Sequence, residues 1–380
     1  MAKKFESNTK SLLKHPIAQM EPWFDKAETE AVGNYMKSGG WIMEFDKTRE
    51  LEEMIADYTG AKYCVMTVNG TLSLVVALLA LGIHSGDEVL MPNFTMIASP
   101  NAASLLGAKP ILVDVEPTTL CMDLDKAKKS LTKKTRALMY VAVNGRSTNM
   151  KDVVKFCTHH SLFLLEDAAQ ALGSFFKGKH LGTFGDIGSF SLSVPKIITT
   201  GQGGVLVTNS AKYFEKIRKI KDFGRTSGGT DLHDEWGWNF KYTDLQAVIG
   251  IEQMKKLALR VKRKKVIFER YRQGLKNLPE VEILRTDLSD TSPWFIDIFV
   301  KDPDKLAFFL KTRGIGTRIV YPPISSQKIY MNANNSTKFP VTQKYTSRGI
   351  WLPSSSRLTD KEVDIVVNFI KEYYTQKVPA

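Results

Sequence analysis

The sequence is poor in cysteine and histidine, the residue types that build disulfide frameworks and many metal sites. Its 380 residues include three cysteines and six histidines. The cysteines, Cys64, Cys121 and Cys157, form no CxxC pair, and the histidines show no spacing typical of metal ligands. We therefore expect no disulfide framework, no catalytic metal and a reducing compartment.

Long hydrophobic runs are also missing. No window holds about 18 uninterrupted apolar residues, the length that a membrane-spanning helix requires. The charged segment at the start has no apolar stretch of the kind found in secretory signals. These absences predict a cytoplasmic protein that does not bind a membrane.

What is present is the composition of a folded globular protein. Hydrophobic residues make up 43% and charged residues 24% of the chain, near the averages of about 45 to 50% and about 25%. At roughly 100 to 200 residues per domain, this length predicts two or three domains with a large core. The net charge of +13 would suit nucleic acid, an acidic membrane surface or phosphorylated small molecules, and it does not choose between them.

From about residue 41 to residue 209, amphipathic helical stretches alternate with short apolar runs, a pattern typical of a doubly wound α/β sheet. The runs show little polar alternation, which predicts strands covered on both faces. A buried helix is predicted over Thr71–Gly82. The predicted strands are Tyr63–Thr67, Glu88–Met91, Pro110–Val113, Ala137–Val143, Leu162–Glu166 and Gly204–Thr208.

A second region follows, with a long helix predicted from Asp244 to Leu278. A strand is predicted over Trp294–Val300, and a terminal amphipathic helix near Lys361–Tyr374. We place a domain boundary inside the long helix. This gives a large domain over residues 1–255 and a small C-terminal α+β domain over residues 256–380.

Three local motifs could carry chemistry, and the first is the strand-to-helix turn Val68-Asn69-Gly70-Thr71. Its backbone N–H groups and the Thr71 hydroxyl would lie at a helix N-terminus, a natural seat for a phosphate. The alternative is that Thr71 is an ordinary helix N-cap.

The second motif is the acidic pair Glu166 and Asp167, which closes an apolar strand at its carboxyl end. Open α/β sheets bind ligands at this edge. Next to a heterocyclic cation, Asp167 would stay ionised and keep the ring nitrogen protonated. A helix N-cap is again the alternative.

The third motif places Lys196 between an apolar strand and the turn Gly201-Gln202-Gly203-Gly204. Its neighbours from Phe190 to Gly204 are uncharged. Burial would lower the pKa of this amine, as a nucleophile or Schiff-base former requires. The alternative is an ordinary surface charge.

In this order and spacing, the motifs resemble the pyridoxal phosphate (PLP) enzymes of fold type I. More narrowly, the chain resembles the nucleotide-sugar aminotransferases of the DegT/StrS family, nearest to perosamine synthase-like 4-aminotransferases. The similarity runs from about residue 20 to the C-terminus. Further matching segments are Ser85-Gly86-Asp87-Glu88-Val89, Gly107-Ala108-Lys109-Pro110, Gly185-Asp186-Ile187-Gly188-Ser189-Phe190-Ser191 and Gly237-Trp238-Asn239-Phe240-Lys241-Tyr242-Thr243-Asp244.

This resemblance implies a large domain with a mostly parallel central sheet flanked by helices, and PLP as the cofactor. Lys196 would form the internal aldimine with PLP and shuttle a proton, while Asp167 would pair with the pyridinium nitrogen. The further cofactor-binding residues that it implies are Gly70, Thr71, Met96, Gln170, Ser191 and Asn239.

The resemblance implies more about two of these residues. Asn239 would reach the phosphate from a neighbouring subunit, so a homodimer with shared active sites is expected. Met96 stands where the family often has an aromatic residue that stacks on the cofactor. A thioether can pack there, and an ordinary core position is the alternative.

The implied reaction moves an amino group from L-glutamate to a nucleotide-linked keto-sugar, most often a 4-keto-6-deoxyhexose, as in the synthesis of deoxy amino sugars of lipopolysaccharide O-antigens. Candidates for binding the acceptor are Arg225, Arg318 and Tyr321, and structural salt bridges are the alternative for both arginines. A 3-keto acceptor is another possibility. A sugar dehydratase of the same family would carry histidine at the position of Lys196.

A basic nucleic-acid-binding protein is the alternative from another class. The cations of Lys255–Lys265 could meet phosphates along a helix. We expect instead a solvated face, with Met254, Leu257, Val261 and Phe268 on the opposite side. No interleaved aromatic platform or helix-turn-helix pattern favours nucleic acid.

Overall fold

The computed structural model describes residues 15–227, 229–331 and 339–375. The charged start of the chain, used above to predict the location, lies outside them. The α-helices are α1 (Lys26–Lys37), α2 (Asp46–Thr59), α3 (Gly70–Ala80), α4 (Ala98–Leu105), α5 (Leu124–Lys129), α6 (Met150–His159), α7 (Ala211–Lys221), α8 (Asp244–Lys255), α9 (Leu257–Leu275), α10 (Pro303–Thr312), α11 (Pro340–Thr346) and α12 (Asp360–Thr375). The strands are β1 (Tyr63–Thr67), β2 (Glu88–Pro92), β3 (Lys109–Val113), β4 (Thr135–Val141), β5 (Phe163–Asp167), β6 (Phe175–Phe176), β7 (Lys179–His180), β8 (Ile187–Ser191), β9 (Gly204–Thr208), β10 (Ile296–Phe299), β11 (Arg318–Ile319) and β12 (Gly349–Leu352).

Seven strands form the central sheet in the order β1-β9-β8-β5-β4-β2-β3. Strand β9 runs antiparallel to both of its neighbours, and the other pairings are parallel. Helices cover both faces, because one buried cluster includes side chains of α2, α6 and α8 and the other includes those of α3, α4 and α7. The predicted α/β fold with a mostly parallel sheet is confirmed.

The six predicted strands are all present, and β8 is the apolar strand expected before Lys196. The short strands β6 and β7 are added to them. The main difference is β4, which ends at Val141 rather than at Val143. Residues Val143–Gly145 form a short 3-10 turn in which Asn144 has a positive φ of 52°. That conformation cannot continue a strand, and it redirects the chain beside the end of β5.

The C-terminal region builds a second sheet, in the antiparallel order β10-β12-β11. Its core joins this sheet to α9, α10 and α12. Ile17 belongs to the same core, and its N–H donates to the Gly314 carbonyl at 2.9 Å. The first described residues therefore pack on the C-terminal region, and we keep the division between residues 255 and 256 as a proposal.

The predicted continuous helix from Asp244 to Leu278 is wrong. Helix α8 ends at Lys255 and α9 begins at Leu257, because Lys256 takes φ −99° and ψ −5°. The Lys256 ammonium pairs with Asp25 and Glu28 of the α1 start, each at 2.7 Å.

The expected solvated basic face is also wrong in part. Arg260 and Lys264 are each only 1% exposed, and Arg263 pairs with Asp360 at 2.6 Å. These three cations are therefore buried or paired with an acidic side chain, which leaves fewer charges on the segment to meet the phosphates of a nucleic acid.

Two kinds of feature are absent from the described residues. No helix among them is long and apolar enough to cross a membrane. Within the same ranges, no group of three or more His, Cys, Asp or Glu side chains is placed to hold a metal ion.

Candidate active site

An open pocket of about 580 Å³ lies beside the carboxyl end of β5 and the start of α3. It brings together residues from six separate parts of the sequence. The predicted site residues that line it are Gly70, Thr71, Met96, Asp167, Gln170, Ser191, Lys196, Arg318 and Tyr321. The pocket is also lined by residues to which the sequence assigns no role of their own, including Asn69, Ser193, Pro195, Gln202 and Trp294.

The start of α3 forms one wall. Asn69 is the N-cap, since its side-chain oxygen accepts from the Leu72 N–H at 2.9 Å. The alternative that Thr71 is the N-cap is therefore wrong, and the exposed Thr71 hydroxyl is available to a ligand. The positive end of the helix dipole favours an anion here.

Gly70 and Ser191 close the base of this wall. A Cβ at position 70 would lie 2.9 Å from the Ser191 Cβ and 3.0 Å from its Oγ. Only glycine allows α3 to approach the end of β8 this closely. The two elements together form a narrow cradle of backbone N–H groups and hydroxyls.

Asp167 is the last residue of β5, and it is buried. Its Oδ2 accepts from the Ser99 hydroxyl at 2.7 Å, and its Oδ1 from the Ala169 N–H at 3.2 Å. No helix begins after it, so the N-cap alternative is wrong. Burial raises the pKa of this carboxyl, while the bond from Ser99, the Ala169 N–H and the charge of Lys196 oppose that rise.

The neighbouring Glu166 has a structural role. Because side chains alternate along a strand, its carboxylate lies on the other face of β5. There it accepts from the N–H groups of Gly182, Phe184 and Gly185 at 2.6 to 2.7 Å. Glu166 thus holds the loop before β8, and Asp167 alone faces the pocket.

Lys196 follows β8 in the turn that leads to β9. Its Nζ lies 4.0 Å from the centroid of the Trp294 ring. Burial lowers the pKa of Lys196 to about 8, and the charge of Asp167 opposes this. The surface-charge alternative is therefore wrong: this is a desolvated amine in a pocket, with a pKa suited to nucleophilic work at neutral pH.

Gln170 and Met96 complete the part of the pocket near Lys196. The Gln170 side-chain oxygen accepts from the Asn144 N–H at 2.8 Å, which orients the amide. Met96 is 42% exposed and lines the pocket, so the core alternative is wrong. Its sulfur accepts from the Ala98 N–H at 3.0 Å.

Arg318 and Tyr321 reach the pocket from the C-terminal region. The Arg318 guanidinium lies 5.4 Å from the Tyr321 ring centroid and 5.5 Å from that of Trp351. Within the described residues it forms no ion pair, so the salt-bridge alternative is not supported for Arg318. Burial raises the pKa of Tyr321 to about 12, which keeps its hydroxyl protonated at neutral pH.

The structure does not bring Arg225 and Asn239 into this pocket. Arg225 pairs with Asp222 at 2.9 Å and with Asp231 at 3.1 Å, as the salt-bridge alternative predicted. Asn239 is exposed and forms a β-bridge with the same Asp222. The two residues therefore share a separate surface of the chain.

Ser99 and Trp294 contact the two central residues of the site but carried no recognisable signal in the sequence. Ser99 lies in an ordinary helix start, and Trp294 was assigned to a strand although β10 begins only at Ile296. Both residues come from segments far along the chain from Asp167 and Lys196, and a single sequence does not reveal such distant contacts.

The residues present fit PLP. An anion cradle at Gly70, Thr71 and Ser191, a carboxylate at Asp167 and an amine of lowered pKa at Lys196 match its phosphate, ring nitrogen and aldehyde. One observation supports the fit in particular: position 70 has no room for a Cβ, so the cradle is kept narrow.

Comparison with known proteins agrees with this geometry. The sequence profile of the DegT/DnrJ/EryC1/StrS aminotransferase family matches residues 22–371. The chain belongs to this family. It is accordingly an aminotransferase, and its cofactor is PLP, which the family uses.

Individual relatives match over nearly the full length. The chain is 33% identical to a GDP-perosamine synthase of Vibrio cholerae over 364 residues, which is 94% of this chain and 99% of the relative. It is 32% identical to that of Caulobacter vibrioides, covering 87% and 89%. Among solved structures, S. venezuelae DesV in complex with a ketimine intermediate is 26% identical with a TM-score of 0.88, covering 95% and 100%.

A putative sugar aminotransferase of Streptococcus pneumoniae in its PLP form has the same fold. Its TM-score is 0.91 at 24% identity, covering 96% of this chain and 100% of that one. The predicted fold type I architecture is thus confirmed.

Proposed function

We propose that this enzyme transfers the amino group of L-glutamate to C4 of a nucleotide-linked 4-keto-6-deoxyhexose. The observation that carries the proposal is the full-length similarity to GDP-perosamine synthases, combined with a pocket that contains Lys196 and Asp167. Glutamate becomes 2-oxoglutarate, and the ketone becomes an amine, so atoms and electrons balance without another reactant.

In this proposal most of the predicted residues have a role at the cofactor. Gly70, Thr71 and Ser191 would hold the phosphate, and Asp167 would pair with the ring nitrogen. Lys196 would hold the cofactor and, as a free amine, would move a proton at the reacting carbon. When bound, PLP withdraws electrons from that carbon. Gln170 and Met96 limit the space around the ring.

The acceptor needs cationic or donor groups for its diphosphate. Arg318 is suited to this because it is exposed at the pocket and has no carboxylate partner within the described ranges. A guanidinium binds phosphate oxygens through two parallel hydrogen bonds. Tyr321 keeps a protonated hydroxyl beside it for a further hydrogen bond.

A homodimer with shared active sites is part of the same proposal. Asn239 cannot act in the pocket of its own chain, but it lies beside an apolar surface that a second chain would cover. The large exposed apolar side chains near Asn239 and near the loop before α2 are Trp41, Ile42, Met43, Phe45, Phe223, Leu232, Trp236 and Trp238. Several large exposed apolar side chains in one region are typical of an interface. Arg225, on the same surface, would then lie near the site of the partner subunit.

The location proposed for the enzyme is the cytoplasm. Its three cysteines are free, buried thiols, which suits a reducing compartment.

The test is a transamination assay with the PLP-loaded enzyme, L-glutamate and a panel of nucleoside-diphosphate keto-sugars. The panel pairs GDP, UDP and dTDP with 4-keto-6-deoxy and 3-keto-6-deoxy hexoses. Mass spectrometry detects the amino sugar, and NMR assigns the aminated carbon. We expect the amine at C4, formation of 2-oxoglutarate and no product with Lys196→Ala.

The matched control is Lys305→Ala, which removes an exposed lysine of α10 and should keep full activity. Amination at C3 alone would overturn the C4 assignment. Conversion of none of the acceptors, by an enzyme that still exchanges its amino group with glutamate, would overturn the sugar substrate.

A further inference from the structure

Trp294 contacts both Lys196 and the residue before it, Pro195. The face of its ring lies 4.0 Å from the Lys196 Nζ. The edge of the same indole donates from Nε1 to the Pro195 carbonyl at 2.7 Å. One side chain therefore contacts both the amine of Lys196 and the backbone that carries it.

Trp294 is itself held firmly from the C-terminal region. It is 3% exposed, stacks on Phe295 with ring centroids 3.7 Å apart and meets Trp351 edge to face at 5.9 Å. Its main-chain carbonyl accepts a hydrogen bond from the buried Lys264 ammonium, which also donates to the Ser354 carbonyl. These contacts leave the indole little freedom to turn.

We propose that Trp294 is a positioning residue that receives the amine of Lys196 whenever this amine is not bonded to the cofactor. An aminotransferase must release its lysine and take it back in every cycle, so a defined place for the free amine shortens its return. The indole face supplies that place because it attracts a cation through its negative quadrupole. The inference rests on Lys196 being the cofactor lysine, and not on which sugar is aminated.

Other charged or titratable groups besides the Trp294 ring lie near the amine of Lys196. Asp167 at the end of β5 favours the cation, and Arg318 and Tyr321, from β11 and the segment after it, line the same pocket. Desolvation acts against the cation and lowers the pKa of Lys196 to about 8. On this proposal the pKa would be lower still without the indole.

The test measures the pKa of Lys196 in the PLP-free enzyme, so that activity is not the readout. Lysines are labelled with acetic anhydride across a pH series, and peptide mass spectrometry gives the labelling midpoint of Lys196. The exposed Lys305 serves as the internal reference. The variants are Trp294→Met, which fills space without a ring, and Trp294→Phe, which keeps a ring but loses the Nε1–H.

We expect Trp294→Met to move the Lys196 midpoint to lower pH by roughly 0.4 to 1.5, the range that a cation–π interaction of about 0.5 to 2 kcal/mol implies. Trp294→Phe should move it less. An unchanged midpoint in Trp294→Met would overturn the proposal. Equal shifts in both variants would assign the effect to the lost Pro195 hydrogen bond instead.

A second measurement avoids any question of folding. Replacing the tryptophans of the chain by fluorotryptophans keeps the shape of the Trp294 side chain and its Nε1–H but weakens the quadrupole of its ring. The Lys196 midpoint should then fall further with each added fluorine, while that of Lys305 stays constant. A midpoint independent of fluorination would exclude the cation–π contact. Both measurements can overturn the role of Trp294 while the enzyme still aminates the sugar. Equally, they can support that role in an enzyme that does not aminate the sugar.

Discussion

The Ser99 hydroxyl donates a 2.7 Å hydrogen bond to Oδ2 of Asp167. Ser99 belongs to the first turn of α4, and its oxygen also lies 2.9 Å from the Thr95 hydroxyl. The carboxylate of a buried strand end is thus oriented by a helix from another part of the sequence. This bond favours the ionised form of Asp167 against the effect of burial.

Ser99→Ala should therefore raise the pKa of Asp167 further and weaken PLP binding in acid. A hydrogen bond to a charged group is worth about 1.5 to 3 kcal/mol, so the pH at which PLP affinity falls should rise by roughly one to two pH units. The measurement is a PLP titration across pH, followed by visible absorbance. Ser347→Ala, an exposed serine remote from the pocket, is the control. If PLP affinity falls at the same acidic pH in Ser99→Ala and in the control, the pKa of Asp167 does not depend on this hydrogen bond.

Gly70→Ala should reduce PLP affinity by tenfold or more, because the new Cβ would lie 2.9 Å from the Ser191 side chain and would widen the phosphate cradle. Titration with PLP and thermal unfolding are the measurements. Gly33→Ala is the matched control, since α1 has nothing within 4 Å of that Cβ. The control should be neutral or more stable by up to about 1 kcal/mol. Native PLP affinity in Gly70→Ala would contradict the cradle.

The buried lysines predict that the PLP-free enzyme becomes more stable in mild alkali. Burial lowers the pKa of Lys264 to about 7 and that of Lys196 to about 8, from 10.5 in the unfolded chain. Between these values and 10.5 the unfolded chain binds more protons than the folded one, so the free energy of unfolding rises with pH. The slope is at most about 1.4 kcal/mol per pH unit for each lysine.

Lys264→Met should reduce the increase of the unfolding free energy with pH. The reduction should be largest between about pH 7 and pH 8, where Lys196 is still largely protonated. Urea unfolding of the PLP-free enzyme at several pH values measures the slope. Lys305→Met, which removes an exposed lysine, should give a curve parallel to that of the native enzyme. The same slope in Lys264→Met and the native enzyme would show that Lys264 is charged in the fold at these pH values.

The proposed sharing of active sites predicts complementation between two inactive chains. Lys196→Ala lacks the amine, and Asn239→Asp places a negative charge where the phosphate of the partner subunit would bind. A heterodimer of the two variants keeps one intact site of two, so we expect roughly half of the native activity per dimer. Co-expression with two different affinity tags isolates the heterodimer for the assay. No recovery above either homodimer would place Asn239 outside the site of the partner.

The sequence by itself determined the central sheet and the main chemical groups. The strand-turn-helix at Gly70, the acidic end of β5 and the lysine after β8 were predicted at their positions, as was the order of elements around them. These features depend on apolar runs, turn residues and caps, whose physical effect extends over only a few neighbouring residues. The resemblance to the family rested on the same local segments.

Only the tertiary structure decided which distant residues complete the site. Pro195 and Trp294 are 99 residues apart in the chain, yet the indole lies against Lys196. Packing also buried Arg260 and Lys264 in a segment expected to be solvated, and it separated Arg225 from the pocket. Such contacts form where whole elements meet, and the free energy of burying and pairing them depends on the assembled core rather than on local pattern.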